Sequence, residues 1–181
     1  MKVIKTEISD LVIIEPIVFE DERGYFYESF NKTKFEKNNL FYNFVQDNQS
    51  KSSYGVIRGL HYQTEPYAQT KLVRVLDGKI LDVVVDIRKN SPTFGMTYSI
   101  ELSSENKKQL LVPKGFAHGF SVLSQTAVVF YKCDEFYNKT SENGIIYNDD
   151  YLSIDWKIPV QNQIISEKDA KLQKFTKLQN A

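Results

Sequence analysis

The sequence predicts an all-β fold, a sandwich or barrel, with a jelly roll as the size match for 181 residues. Three observations carry that expectation. Short runs rich in β-branched and aromatic residues recur along most of the chain, turn chemistry separates several of them, and helical signals are weak and peripheral.

The strand-like runs are, in order, Leu11 to Ile14, Tyr25 to Phe30, Phe44 to Gln46, Lys71 to Leu76, Lys79 to Ile87, Thr97 to Leu102, Gln109 to Val112, Phe120 to Leu123 and Ala127 to Tyr131. Asp21-Glu22-Arg23-Gly24, Asp77-Gly78, Ser91-Pro92 and Pro113-Lys114-Gly115 supply the turns. Asp77-Gly78 lies between two apolar runs and predicts a hairpin with a type I′ turn, which needs positive φ at both central residues. In the second strand of that hairpin, Leu81, Val83, Val85 and Ile87 share one face, and Asp82, Val84, Asp86 and Arg88 share the other. One face belongs to the core, and the other is suited to line a polar cavity. A short helix is expected from about Lys32 to Lys37. A C-terminal helix is expected from about residue 167, because Ser166 precedes Asp169 with capping-box spacing. Ala170, Leu172, Phe175 and Leu178 would give it a partly apolar face.

No repeat, low-complexity tract or linker divides the chain, so one domain spanning residues 1–181 is expected, long enough to bury a substantial core. Lys+Arg and Asp+Glu are 23 each, so no global field favours nucleic acid or a membrane surface. The opening Met1 to Glu7 reads as too polar for a signal peptide, and no apolar run approaches a membrane span. Cys133 is the only cysteine, which excludes an internal disulfide and fits a reducing cytoplasm. Its commoner role is that of a buried structural thiol rather than a nucleophile.

The chain has two histidines, one in Arg58-Gly59-Leu60-His61-Tyr62-Gln63 and one in Gly115-Phe116-Ala117-His118-Gly119-Phe120. In an enzyme, proton chemistry would pass through His61, His118 or both. Neither has a His-x-His or His-Glu-x-x-His neighbourhood, so a metal-free reading is preferred. A Gly-x-Ser-x-Gly elbow, a phosphate loop and a dinucleotide fingerprint are all absent. Proton transfer without a metal remains, with His61 as base, Lys71 as a cation for a developing oxyanion, and Tyr131 and Tyr137 as acids. Each has a plainer alternative: a hydrogen-bonded strand histidine, a solvated lysine, packed aromatic rings, and for Asp169 a helix cap. The residues alone support a small-molecule site in a β-barrel.

Further blocks run in order along nearly the whole chain: Phe19-Glu20-Asp21-Glu22-Arg23-Gly24-Tyr25-Phe26-Tyr27-Glu28-Ser29, Gln46-Asp47-Asn48-Gln49-Ser50, Gln69-Thr70-Lys71-Leu72-Val73, Asp82 to Arg88 with Ser91-Pro92-Thr93-Phe94-Gly95, Tyr131-Lys132, and Ser166-Glu167-Lys168-Asp169. With the two histidine segments, this set resembles the dTDP-4-dehydrorhamnose 3,5-epimerase family. The resemblance implies a cupin-type jelly roll (double-stranded β-helix) with short peripheral helices. It implies a homodimer that uses no metal or cofactor and has its site in the barrel mouth. The implied reaction inverts C3 and C5 of dTDP-4-keto-6-deoxy-D-glucose to give dTDP-4-keto-L-rhamnose. His61 resembles the base, Asp169 its orienting partner, Lys71 the cation beside the C4 oxygen, and Tyr131 the acid on the opposite face. Gln46, Asn48, Arg58, His118, Tyr137, Glu142 and Lys168 resemble ligand contacts; Arg23 and Glu28 resemble nucleotide contacts that reach across a dimer. Asp82 either orients His118 or makes a buried hydrogen bond elsewhere. The alternatives are inversion at C3 alone, keto-isomerisation of a related nucleotide sugar, or a non-catalytic sugar-nucleotide-binding jelly roll. The intact set of His61, Lys71, Tyr131 and Asp169 argues against the last.

Overall fold

In the computed structural model, which describes residues 1–179, fourteen strands and two short α-helices follow one another along the chain. Residues 180 and 181 of the expected domain lie outside the described residues. The strands are β1 (Lys2–Lys5), β2 (Val12–Glu15), β3 (Phe19–Asp21), β4 (Gly24–Phe26), β5 (Gln46–Ser53), β6 (Val56–Gln63), β7 (Lys71–Asp77), β8 (Lys79–Asp86), β9 (Thr97–Ser103), β10 (Gln109–Val112), β11 (Phe116–Val122), β12 (Thr126–Cys133), β13 (Glu142–Gly144) and β14 (Ile164–Ile165). Helix α1 is Lys32–Glu36 and α2 is Thr176–Gln179. One sheet has the order β1-β2-β10-β7-β12-β5 and the other β13-β6-β11-β8-β9, with β14 also on β6; β3 and β4 form a separate hairpin.

The inner faces of the two sheets meet in an apolar core. Val73, Val75, Leu110 and Val129 come from the first sheet; Ile80, Val84, Phe116 and Phe120 come from the second. Both sheets are also covered outside. Leu81, Val83, Val85 and Leu60 pack under Trp156 and Phe175, while Val12, Ile14, Leu72 and Leu111 pack under Phe35 of α1. Strand β8 is therefore buried on both faces. On its even-numbered face Ile80 and Val84 are apolar and packed in the barrel core, and Asp82 and Asp86 are the buried polar residues.

The Asp77-Gly78 hairpin does not form. Strand β7 lies between β10 and β12, and β8 lies between β11 and β9, so the turn carries the chain from one sheet to the other. Gly78 has φ +76, and a Cβ there would stand 2.1 Å from the Thr126 carbonyl oxygen, so both conformation and close approach select glycine. The local chemistry of a tight turn is the same in both cases. What differs is that the apolar faces of β7 and β8 approach one interior from opposite sides.

The C-terminal segment also departs from expectation. A continuous helix from residue 167 is replaced by a single 3-10 turn, Asp169–Lys171, an extended Leu172, and α2. The segment works as a strap. Ile164–Ile165 pairs in parallel with Val56–Ile57 of β6, Gln173 bridges to Ile145, and the Phe175 amide donates to the buried Asp149 carboxylate at 2.8 Å. The fully buried Phe175 ring pins its far end; deleting such a ring costs roughly 3–5 kcal/mol. Tertiary anchoring of this kind overrides the weak propensity of so short a helix. The expected Lys32 to Lys37 helix forms as α1, with Asn31 as its cap.

Candidate active site

Strand β6 carries a bulge that decides the site. On β11, His118 pairs with His61 and Phe120 pairs with Arg58, so two steps on β11 face three on β6. Simple alternation would put Arg58 and His61 on opposite faces. The extra residue instead places both inside the barrel, while Ile57, Leu60 and Tyr62 face the outer core. Gly59 at the bulge has φ +115, and a Cβ there would lie 2.6 Å from the Gly119 Cα. No side chain fits between the two strands at this point.

His61 Nε2 lies 2.8 Å from Asp169 Oδ1, and the Gly59 amide donates to Asp169 Oδ2 at 3.1 Å. Both carboxylate oxygens of a buried residue are thereby satisfied. Burial works against the Asp169 charge. The hydrogen bonds from His61 and the Gly59 amide, together with the charge of His61, outweigh it and hold the pKa below the usual carboxylate value. An ionised carboxylate only accepts, so His61 carries its hydrogen on Nε2 and leaves Nδ1 with a free lone pair. Half of the expected capping box forms, because Ser166 Oγ accepts the Asp169 amide at 3.0 Å, but the Asp169 carboxylate is turned to His61.

Across the barrel, Lys71, Tyr131 and Cys133 line the inner face of the first sheet, with Cys133 paired to Lys71 in register. Burial lowers the Lys71 pKa; electrostatic interactions with Cys133, Asp82 and Glu142 oppose that, with no hydrogen bond to Lys71 among the described residues. Its ammonium sits 5.9 Å from the centre of the Tyr131 ring. Burial raises the Tyr131 pKa, so its phenol is protonated at neutral pH. Burial likewise pushes the Cys133 thiol up to about 11, which makes it a neutral floor group and a poor nucleophile.

The remaining expected contacts surround this space. His118 Nε2 lies 2.9 and 3.0 Å from the two oxygens of Asp82, so the inward aspartate of β8 does orient His118. Arg58 Nε donates to Ser52 Oγ at 3.0 Å. Gln46 Nε2 donates to Asn48 Oδ1 at 3.1 Å, and Asn48 Nδ2 donates to Cys133 Sγ at 3.6 Å. At the rim, Glu142 accepts from the Tyr137 hydroxyl at 2.9 Å and pairs with Lys168 at 2.6 Å. Burial opposes the Glu142 charge, but Lys168 and Tyr137 keep its pKa below the usual value.

Arg23 and Glu28 are not brought to this mouth by their own chain. Arg23 is exposed and pairs with Asp21 in the β3–β4 hairpin, and Glu28 is held by Asn31 and Lys34 beside α1. Sequence reasoning also gave no role to Ser52 and Gln63, whose side chains tie the site together. Gln63 closes the motif that holds His61, and that position was its only signal.

Fold and site define a cupin-type jelly roll with acid–base groups on the facing inner sides of its two sheets. A family model described as dTDP-4-dehydrorhamnose 3,5-epimerase matches residues 5–177. The Shigella flexneri protein of that name is 57% identical over 176 residues, which cover 97% of this chain and 96% of the relative. The crystal structure of the same-named protein from Elizabethkingia anophelis NUHP1 is similar at a TM-score of 0.94 and 60% identity, over 98% of this chain and 97% of that one. The dTDP-6-deoxy-D-glucose-3,5-epimerase of Legionella pneumophila Philadelphia 1, solved in complex with dTDP-4-keto-L-rhamnose, is similar at 0.92 and 49%, over 97% and 93%. This chain belongs to the dTDP-4-dehydrorhamnose 3,5-epimerase family.

Proposed function

We propose that the protein inverts C3 and C5 of dTDP-4-keto-6-deoxy-D-glucose, giving dTDP-4-keto-L-rhamnose, without metal or cofactor. The observation that carries this reading is the placement of His61 and Tyr131 on facing sheets, with Lys71 beside Tyr131. A sugar ring between them has one face toward a base and the other toward an acid. C3 and C5 both flank the C4 ketone, so their hydrogens are acidic once the enolate oxygen is stabilised. His61 Nδ1 takes the C–H proton, and the electron pair moves into the enolate. Lys71, desolvated and without an ion-pair partner among the described residues, meets the charge on O4 where it develops. Tyr131 then donates its hydroxyl proton to the same carbon from the opposite face, and solvent restores both groups. Asp169 favours the imidazolium while it exists, as the carboxylate does in a Ser-His-Asp triad.

Arg58, His118, Gln46, Asn48, Tyr137, Glu142 and Lys168 bind the sugar nucleotide, and that remote binding energy positions the reacting carbons. The chain acts as one domain and as a homodimer. Phe19, Tyr25 and Phe26 of the β3–β4 hairpin are 62%, 56% and 67% exposed. A second copy that covers them would carry Arg23 and Glu28 to the neighbouring mouth. The same chemistry, the single buried cysteine and the absence of a helix long and apolar enough to cross a membrane among the described residues support a cytoplasmic enzyme.

The test is incubation with dTDP-4-keto-6-deoxy-D-glucose in deuterated water containing EDTA, followed by NMR of the sugar. Deuterium at C3 and C5 with inversion at both is expected. Label at C3 alone would make the protein a C3 epimerase, no label would make it a binding module, and activity restored only by added metal would overturn the metal-free reaction.

A further inference from the structure

Gln63 is the residue of the Arg58 to Gln63 motif that neither ligand binding, the bulge, acid–base chemistry nor core packing accounts for. It is buried and lies on the inner side of β6, two positions past His61. Its amide grips the loop around Tyr137 from both sides. Nε2 donates to the Phe136 carbonyl at 3.2 Å, and Oε1 accepts the Asn138 amide at 2.7 Å. The same Nε2 donates to the Tyr67 carbonyl at 2.6 Å, in the loop that leads into Lys71.

We propose that Gln63 is a positioning residue that fixes Tyr137 at the mouth and so sets affinity for the sugar nucleotide rather than the rate of proton transfer. The inference rests on the ligand role given to Tyr137 above. Three features support it. The two bonds that flank Tyr137 copy a β-bridge, so residue 137 is held in the position of a paired strand residue. Gln46 Oε1 accepts the Tyr137 amide itself at 2.9 Å, which leaves the backbone of residues 136–138 held at three successive groups by two buried or half-buried amides. The loop is further tied to residues 69 and 70, where Gln69 Nε2 donates to the Glu135 carbonyl at 2.7 Å and the Thr70 amide donates to Asp134 at 2.6 Å. The Tyr137 side chain is exposed and, among the described residues, hydrogen-bonded only to Glu142, so its aim depends on this backbone clamp. His61 and Asp169 do not touch it.

Gln63→Leu removes all three bonds at nearly constant size. Gln63→Glu keeps the bond from Asn138 and sets a carboxylate against two carbonyls. Hydrogen exchange by mass spectrometry should show residues 136–141 exchanging at least about tenfold faster in Gln63→Leu, with β8 and β11 unchanged, as expected for the loss of one or two buried hydrogen bonds. KM for the sugar nucleotide and Kd for dTDP should rise about tenfold while kcat changes less than about threefold; Gln63→Glu should fall between. If Gln63→Leu does not fold, Gln63→Glu carries the same comparison. Unchanged loop exchange, or a kcat loss at constant KM, overturns the inference. A wild-type protein that binds no dTDP sinks the epimerase reading instead, and loop exchange still decides whether Gln63 is the clamp.

Discussion

Asp169→Asn is the substitution that most sharply separates chemistry from scaffolding. The Gly59 amide needs an acceptor, so it takes the carboxamide oxygen of the new side chain and turns the NH2 group toward His61. That NH2 donates to Nε2, which forces the imidazole hydrogen onto Nδ1 and removes the base. The imidazolium also loses its counter-charge. At a charge separation near 4 Å and an effective dielectric of about 20, that interaction is worth roughly 4 kcal/mol, or about a thousandfold in rate. The inverted tautomer adds to the loss, giving about 10⁴ in kcat, the scale seen for the same exchange in a Ser-His-Asp triad. Asp169→Ala loses the charge but imposes no tautomer, so its kcat should fall about a thousandfold or less. Stability should run the other way. Asn keeps the Gly59 hydrogen bond, whereas Ala leaves a buried amide unpaired at a cost of about 1–3 kcal/mol. The Asn variant should therefore be the more stable and the less active of the two. Steady-state turnover and thermal melts on both variants test this. An Asn variant within about tenfold of wild-type kcat, or activity and stability that fall together, would refute the reasoning.

Three further outcomes are expected. Tyr131→Phe keeps the ring packed on the core and loses the hydroxyl, so in deuterated water it should exchange the C3 hydrogen with retained configuration faster than it makes epimer; equal loss of both would mean that the hydroxyl is needed to form the enolate. Asp86 is fully buried, and although burial disfavours its charge, hydrogen bonds from Arg88, Ser91 and Thr93 hold its pKa at about 2 against an ordinary 3.8. Its folded pKa is the lower one, so about 2–3 kcal/mol of stability should be present above pH 4 and lost as pH falls through 2; Asp86→Asn should flatten that stretch of the stability curve, and parallel curves would count against the network. An obligate homodimer should melt at a temperature that rises with concentration, and a fully active monomer near 21.0 kDa by light scattering would exclude it.

The strands that were legible are those with an apolar face in a core. Gln109 to Val112 is matched at both ends, and the runs beginning at Lys71, Lys79 and Thr97 are each matched to within a residue. Strand β5, by contrast, reads Gln-Asp-Asn-Gln-Ser-Lys-Ser-Ser. One side faces the wet barrel mouth and the other faces solvent, so it carries no hydrophobic alternation to detect. Strand β6 was missed because its bulge breaks the period in the middle, at Gly59. Ser166 and Asp169 stand at helix-start spacing and do begin a turn, but the bond to His61 and the anchors at Gln173 and Phe175 are long-range and leave no trace in local pattern.

The same distinction explains what could be read of the site. Residue type alone left His61, Lys71, Tyr131 and Asp169 with ordinary structural explanations, and only the resemblance ranked one reading above another. Geometry separates them on physical grounds. A capping aspartate would spend its carboxylate on the first turn of its own helix, but that of Asp169 lies on the strand that carries the base. The strap enters beside Val56 and Ile57, and the Gly59 amide then fixes the carboxylate two residues from His61. Base and orienting carboxylate are thus referenced to one strand, so motion of the strap away from β6 would remove Asp169 and expose the Gly59 amide in one step. A strand bulge with glycine on both sides of the contact is the one local feature that makes this possible, since any side chain at Gly59 or Gly119 would meet the facing backbone within 2.6 Å. Gly59 and Gly119, one in each histidine segment, are the means by which Arg58 and His61 reach the same face.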